Sequence, residues 1–137
     1  SMVITNGQAA NPLARLQAGE ASTLFAATST PLDVRRSWIR GMMAPKGSLY
    51  IDDGAVDALK TGASLLAAGV TDVKGGFTRG DLVAFVAPDG ATVGQGLVSY
   101  DAADTAQIKG RRMRDATEIL GYVGRSALVH RNDLVML

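Results

Sequence analysis

The chain of 137 residues contains no cysteine and a single histidine. The first absence excludes disulfides, thiolate metal sites and a thiol nucleophile. The second excludes any site built on two imidazoles. Aromatic residues are scarce: one Trp, three Tyr and three Phe. No charge of one sign dominates, because 14 Lys and Arg stand against 13 Asp and Glu. A dedicated nucleic-acid domain usually carries a stronger positive balance or a clear basic stripe. Long apolar runs are missing as well. The longest, Ala63–Val70 and Leu82–Ala87, fall short of the roughly 18–20 residues that cross a bilayer. No basic segment followed by an apolar one opens the chain, so no signal peptide is expected.

What is present suits one globular domain. The chain is 47% hydrophobic and 20% charged, and a chain of this size buries roughly 65–70% of the surface its unfolded form exposes. Ser1-Met2 reads as the scar of a cleaved tag and is left out of the fold argument, so the native start is expected to be absent. Residues 3–32 carry little charge, only Arg15 and Glu20 before Asp33. Within them Val3-Ile4-Thr5 reads as a strand closed by the turn pair Asn6-Gly7. A short helix follows from Asn11-Pro12, with Leu13 and Leu16 on one face and Gly19 as its stop. Ser22–Phe25 reads as a second strand. This strand–helix–strand piece is too small for its own core. Ala26–Leu32 reads as linker.

From Asp33 to the end, short segments alternate with glycine-rich turns. Strands are expected over Val34–Arg40, Ser48–Ile51, Val70–Val73, Leu82–Ala87 and Thr92–Tyr100. The last two form a hairpin around Pro88-Asp89-Gly90. Ala127–His130 and Leu134–Leu137 read as β-like. Short helices are expected over Ala55–Lys60, Ala102–Ile108 and Met113–Leu120. The pattern is that of a small barrel or sandwich rather than a βαβ winding. Trp38, Leu49, Ile51, Leu59, Leu65, Leu66, Val83, Phe85, Leu97, Ile119 and Leu128 are the expected core.

Few residues carry a chemical signal. Gly94-Gln95-Gly96 has two glycines of a dinucleotide fingerprint, but Ser99 takes the third place and the pair lies inside a strand. A close backbone approach explains it better. His130, near Asn132-Asp133, reads as a structural histidine rather than a general base. Asp52 or Asp53 reads as a helix cap rather than a cation ligand. Lys109, Arg111, Arg112 and Arg114 form the one charge run. It is able to grip phosphates, or it is a solvated face or a docking surface for another domain. Arg35, Arg36 and Arg40 surround Trp38, which reads as a buried Trp before it reads as a stacking platform. No catalytic, cofactor-binding or metal-ligating residue is assigned.

The run Ser64-Leu65-Leu66-Ala67-Ala68-Gly69-Val70, followed by Gly76-Phe77-Thr78-Arg79-Gly80-Asp81, resembles the PUA domain of RNA-modifying enzymes. Asp52-Asp53-Gly54-Ala55 with Ala58-Leu59 resembles the helix that precedes this run. Thr30-Pro31-Leu32, Arg36, Trp38-Ile39, Gly96, Tyr100, Ile108, Gly110, Ile119-Leu120-Gly121-Tyr122 and Val129-His130-Arg131-Asn132-Asp133 together resemble the C-terminal domain of bacterial glutamate 5-kinases. Residues 3–25 look like the last strand–helix–strand of their amino-acid-kinase domain, with Ser22 in place of a usual glycine. The resemblance implies a mainly β, PUA-type pseudo-barrel with short helices over residues 33–137, preceded by a kinase-domain remnant and linker over 3–32. It implies a cytoplasmic parent that phosphorylates glutamate with ATP and Mg²⁺ in proline synthesis. It implies an accessory, non-catalytic role for this part, with the kinase domain and further copies of the parent as partners. RNA is the alternative partner.

Overall fold

The computed structural model describes residues 2–8, 10–19, 21–26, 28–41 and 44–137. It divides into two units, Ser1–Pro31 and Leu32–Leu137. In the first, β1 (Met2–Ile4) pairs antiparallel with β2 (Thr23–Phe25), and α1 (Pro12–Gln17) lies between them in sequence. Pro12 fits the first turn of α1, where the missing N–H costs nothing. Met2, expected to be part of a tag scar, pairs with Phe25 in the ladder; Ser1 lies outside the described residues. No described residue of this unit is buried.

The second unit is built on a five-stranded sheet in the order β4-β3-β5-β6-β7. These strands are β3 (Gly47–Ile51), β4 (Val70–Gly75), β5 (Leu82–Val86), β6 (Thr92–Leu97) and β7 (Leu134–Met136). β3 and β5 run parallel, and every other pairing is antiparallel. β5 is buried along its whole length, as a central strand covered on both faces should be. Its alternation sends Val83 and Phe85 into the main core with Leu49, Ile51, Leu59, Leu65 and Leu128. Leu82 packs instead with Ile39 and Val135. Each such aliphatic or aromatic side chain contributes about 1.5–3 kcal/mol when fully buried.

Four helices accompany this sheet: α2 (Pro31–Gly41), α3 (Asp53–Lys60), α4 (Ala102–Ile108) and α5 (Met113–Leu120). α2 replaces the strand expected over Val34–Arg40. Pro31 opens it and Asp33 sits in its first turn, where a carboxylate suits the helix dipole. The end of the expected linker is therefore helical; Ala27 of that linker lies outside the described residues. Trp38 is not core: it is 56% exposed while its neighbour Ile39 is fully buried. Successive helical residues point about 100° apart, so burying one turns the other outward. Leu66 is exposed because it follows the buried Leu65 in extended chain. Ile119 is 38% exposed, while Ala116, Met113 and Leu120 make the contacts of α5 with the core. Leu97 is half-buried at the edge of the smaller cluster.

The β-like reading of Ala127–His130 reduces to one bridge, Leu65 with Val129. β6 stops at Leu97, three residues before the expected end. Its two glycines admit a close neighbour. A Cβ on Gly96 would stand 2.7 Å from Val129 Cγ1 and 2.8 Å from the Asp133 carbonyl. One on Gly94 would stand 2.7 Å from the Val135 carbonyl. The glycine pair is thus a packing device and not a nucleotide loop.

Candidate functional site

Lys109, Arg111 and Arg112 of the charged run lie in the turn between α4 and α5, and Arg114 lies in the first turn of α5. Asp101 caps α4 by accepting from the Asp104 N–H at 2.9 Å. Beyond the helix, the Gly110 N–H donates to the Ala67 carbonyl at 2.7 Å. The Ala67 N–H lies 3.5 Å from Met113 Sδ. Two contacts therefore clamp the basic turn to the 3₁₀ turn Ala67–Gly69.

The four cations of the run are not equivalent. Lys109 Nζ pairs with Asp72 Oδ1 of β4 at 3.1 Å. The backbone N–H of Val73, and then Lys109, hold the Asp72 carboxyl below the usual carboxylate range. Arg114 Nε lies 3.8 Å from the neighbouring Asp115 Oδ1. Arg111 and Arg112 are exposed, and neither has an ion pair among the described residues. Those two carry the free positive charge of the turn.

A cleft of about 360 Å³ lies beside the same 3₁₀ turn, lined by Asp52, Ala55, Ala58, Ser64, Leu66 and Ala68 among others. Ala67, which anchors the basic turn, sits between the lining residues Leu66 and Ala68. Gly69 sets the width at one end. Its carbonyl accepts from the Asp52 N–H at 3.0 Å, and a Cβ there would stand 2.6 Å from Ala55 Cβ. The cleft is mostly apolar. Its one carboxylate, Asp52, is engaged as the cap of α3, accepting from the Ala55 N–H at 2.7 Å.

The remaining candidates find structural roles. His130 Nδ1 accepts from the Asn132 N–H at 3.2 Å and caps the 3₁₀ turn Arg131–Asp133. Arg35 Nε pairs with Asp133 Oδ1 at 2.6 Å. Arg36 and Arg40 line a different cleft together with Lys60 and Arg131. Nothing in the sequence joins Lys60 and Arg131 to Arg36 and Arg40, since Arg36 and Arg131 stand 95 residues apart. Asp81 of the Thr78-Arg79-Gly80-Asp81 motif accepts from the Thr78 N–H at 2.9 Å and from Lys46 Nζ at 3.0 Å. It therefore closes the turn into β5. Among the described residues no three His, Asp or Glu side chains gather as metal ligands, and no helix is long and apolar enough to cross a membrane.

Residues 47–120, from β3 through α5, match the PUA domain family. The chain belongs to that family. The PUA match covers the cleft, the clamped turn and the motif around Asp81. Over 99% of its length the chain is 49% identical to the glutamate 5-kinase of Rhizobium johnstonii and 48% identical to that of Bartonella henselae. It spans 35% and 36% of those two proteins, so about a third of the length of the curated relatives it matches. Among solved structures, a PUA domain from Aeropyrum pernix K1 aligns with a TM-score of 0.46 and 30% identity, covering 62% of this chain and 41% of that one.

Proposed function

We propose that this chain is the non-catalytic C-terminal PUA portion of a glutamate 5-kinase, tuning the kinase domain's metal response, its proline feedback or its assembly. The supporting observation is the 49% identity across 99% of the chain, which takes in the first unit as well as the PUA domain. That unit exposes Met2, Val3, Ile4, Leu24 and Phe25 on a two-stranded sheet. Two strands are marginal alone, and the piece suits the edge of a larger sheet in a cytoplasmic kinase.

ATP and Mg²⁺ belong, in this reading, to the rest of the kinase. The residues present do not fit them: Gly94 and Gly96 lie inside β6 rather than in a strand-to-helix phosphate loop, and the described carboxylates form no ligand cluster. No step of phosphoryl transfer is assigned to this chain. The natural partners are its own kinase domain and further copies of the enzyme. Deleting the region equivalent to 32–137 from the R. johnstonii enzyme is expected to preserve glutamate phosphorylation while shifting its dependence on Mg²⁺ or proline. Complete loss of turnover in a folded truncated kinase contradicts the accessory role.

A second reading, an RNA-binding module, is favoured by the clamped turn with its exposed Arg111 and Arg112 beside the α3 cleft. Like charge at Asp53 and Asp57, both exposed on α3, opposes a phosphate backbone there. Fluorescence anisotropy with structured and single-stranded RNAs separates the readings. Saturable binding that weakens with salt and vanishes in Arg111→Ala/Arg112→Ala supports RNA; no binding at low salt leaves the accessory role.

A further inference from the structure

We propose that the cleft between α2, the end of α3 and the turn before β7 binds a compact phosphate-bearing small molecule. Its volume is about 270 Å³. Leu59, Leu134 and Val135 are apolar lining residues, and the charged ones are Arg36, Arg40, Lys60 and Arg131. Four cations from three separate elements thus converge on one concavity.

The charges are largely uncompensated. Asp133, next but one to Arg131, is held by Arg35 at 2.6 Å and lies 3.9 Å from Arg125. Asp57 reaches Lys60 only at 3.9 Å, with both side chains well exposed. Arg36, Arg40 and Arg131 have no ion pair among the described residues. Arg36 and Arg40 stand one helical turn apart, a spacing at which like charges destabilise a helix. The backbone of Arg131 is fixed, its N–H donating to Ser64 Oγ at 2.9 Å. A concavity that gathers such charge repels itself when empty and gains from an anion.

The chemistry favours phosphate. Guanidinium forks bind phosphate oxygens in bidentate pairs, and three arginines, Arg36 and Arg40 from α2 and Arg131 from the turn before β7, suit a tetrahedral group better than one planar carboxylate. The volume and the convergence favour a small molecule over a polymer. A nucleic-acid strand needs cations along a path, and the run 109–114 comes closer to that than this cleft does. The inference does not depend on the accessory-domain reading, because the cleft lies wholly within the Leu32–Leu137 unit.

The test uses inorganic pyrophosphate as probe, with sodium chloride at matched ionic strength as control. Thermal unfolding is expected to show a saturable rise in Tm above the salt control, as mass action requires, and calorimetric titration a single site. The exposed Arg36→Gln/Arg131→Gln pair is expected to weaken binding at least about tenfold by losing charged hydrogen bonds, with an unchanged near-UV spectrum. Arg111→Ala/Arg112→Ala is expected to leave it unchanged. No shift beyond the salt control overturns the proposal. So does binding that survives Arg36→Gln/Arg131→Gln, or that is lost in Arg111→Ala/Arg112→Ala. Displacement of pyrophosphate by single-stranded RNA, with affinity growing with oligomer length, overturns it in favour of a nucleic-acid track.

Discussion

The side-chain amide of Gln95 donates to the backbone carbonyl of Ile39 at 2.8 Å, across 56 residues of sequence. Gln95 is buried on β6, and Ile39 is the one buried residue of α2. This bond, with the packing of Ile39 on Leu82 and Val135, seats on the sheet the helix that carries Arg36 and Arg40. Replacing Gln95 by Met keeps the volume and removes the donor. An acceptor left unsatisfied in a buried place costs about 1–3 kcal/mol. The expected outcome is a loss of that size in urea unfolding, together with faster amide exchange in α2 than in β5.

Close approach at Gly96 gives a second prediction. With 2.7 Å to Val129 Cγ1 and 2.9 Å to Leu134 Cβ, a methyl group forces β6 and the following chain apart. Gly96→Ala is expected to cost about 1–3 kcal/mol, the usual range for overpacking. Gly76→Ala, where a Cβ meets nothing within 4 Å, serves as the comparison and is expected to be near neutral. Equal effects at both sites contradict the packing role.

Much of this fold is legible in the sequence, and the failures have physical causes. The hairpin of β5 and β6 declares itself through Pro88-Asp89-Gly90, and Asp52 marks the start of α3 as a cap does. The sequence of α2 suggests a strand because Val34, Trp38 and Ile39 favour β structure. Pro31 and Asp33 held the opposite signal. Tertiary packing of Ile39 decides between them. The clamp between Gly110 and Ala67 joins residues far apart in sequence, and no local pattern foretells such a contact. For the same reason, Lys60 and Arg131 were invisible as companions of Arg36 and Arg40.

Stability should depend on pH at both ends. The Thr78 N–H first, and then Lys46, hold the Asp81 carboxyl below its ordinary 3.8. A carboxyl depressed in the folded state contributes stability that is present above its unfolded pKa and lost as pH falls through the folded one. Asp81→Asn is therefore expected to flatten the acid limb of the stability curve. Tyr122, whose hydroxyl donates to Asp104 Oδ2, is raised from 10.0 to about 12, chiefly by that bond. Its contribution is present below pH 10 and lost as pH rises towards about 12. Burial also raises the Tyr100 phenol, so absorbance at alkaline pH is expected to show two late-titrating phenols, of which Tyr122→Phe removes one.

Arg111 and Arg112 supply the free charge of the clamped turn. If RNA binds there, Arg111→Ala/Arg112→Ala removes two phosphate contacts. The slope of log affinity against log salt then becomes shallower by about 1.4 for a single strand. The fold is expected to be unchanged, since both side chains are exposed. An unchanged slope places any RNA contact elsewhere.

On the proposed function, this PUA chain serves a glutamate 5-kinase without itself performing the reaction. The measurement that tests it most directly is ATP-dependent phosphorylation of L-glutamate by the purified 137-residue chain, run beside the full-length R. johnstonii enzyme in the presence of Mg²⁺. Turnover is expected from the full-length enzyme, and none above background from the chain alone. Turnover by the chain alone, at a rate comparable with the full-length enzyme, would contradict it.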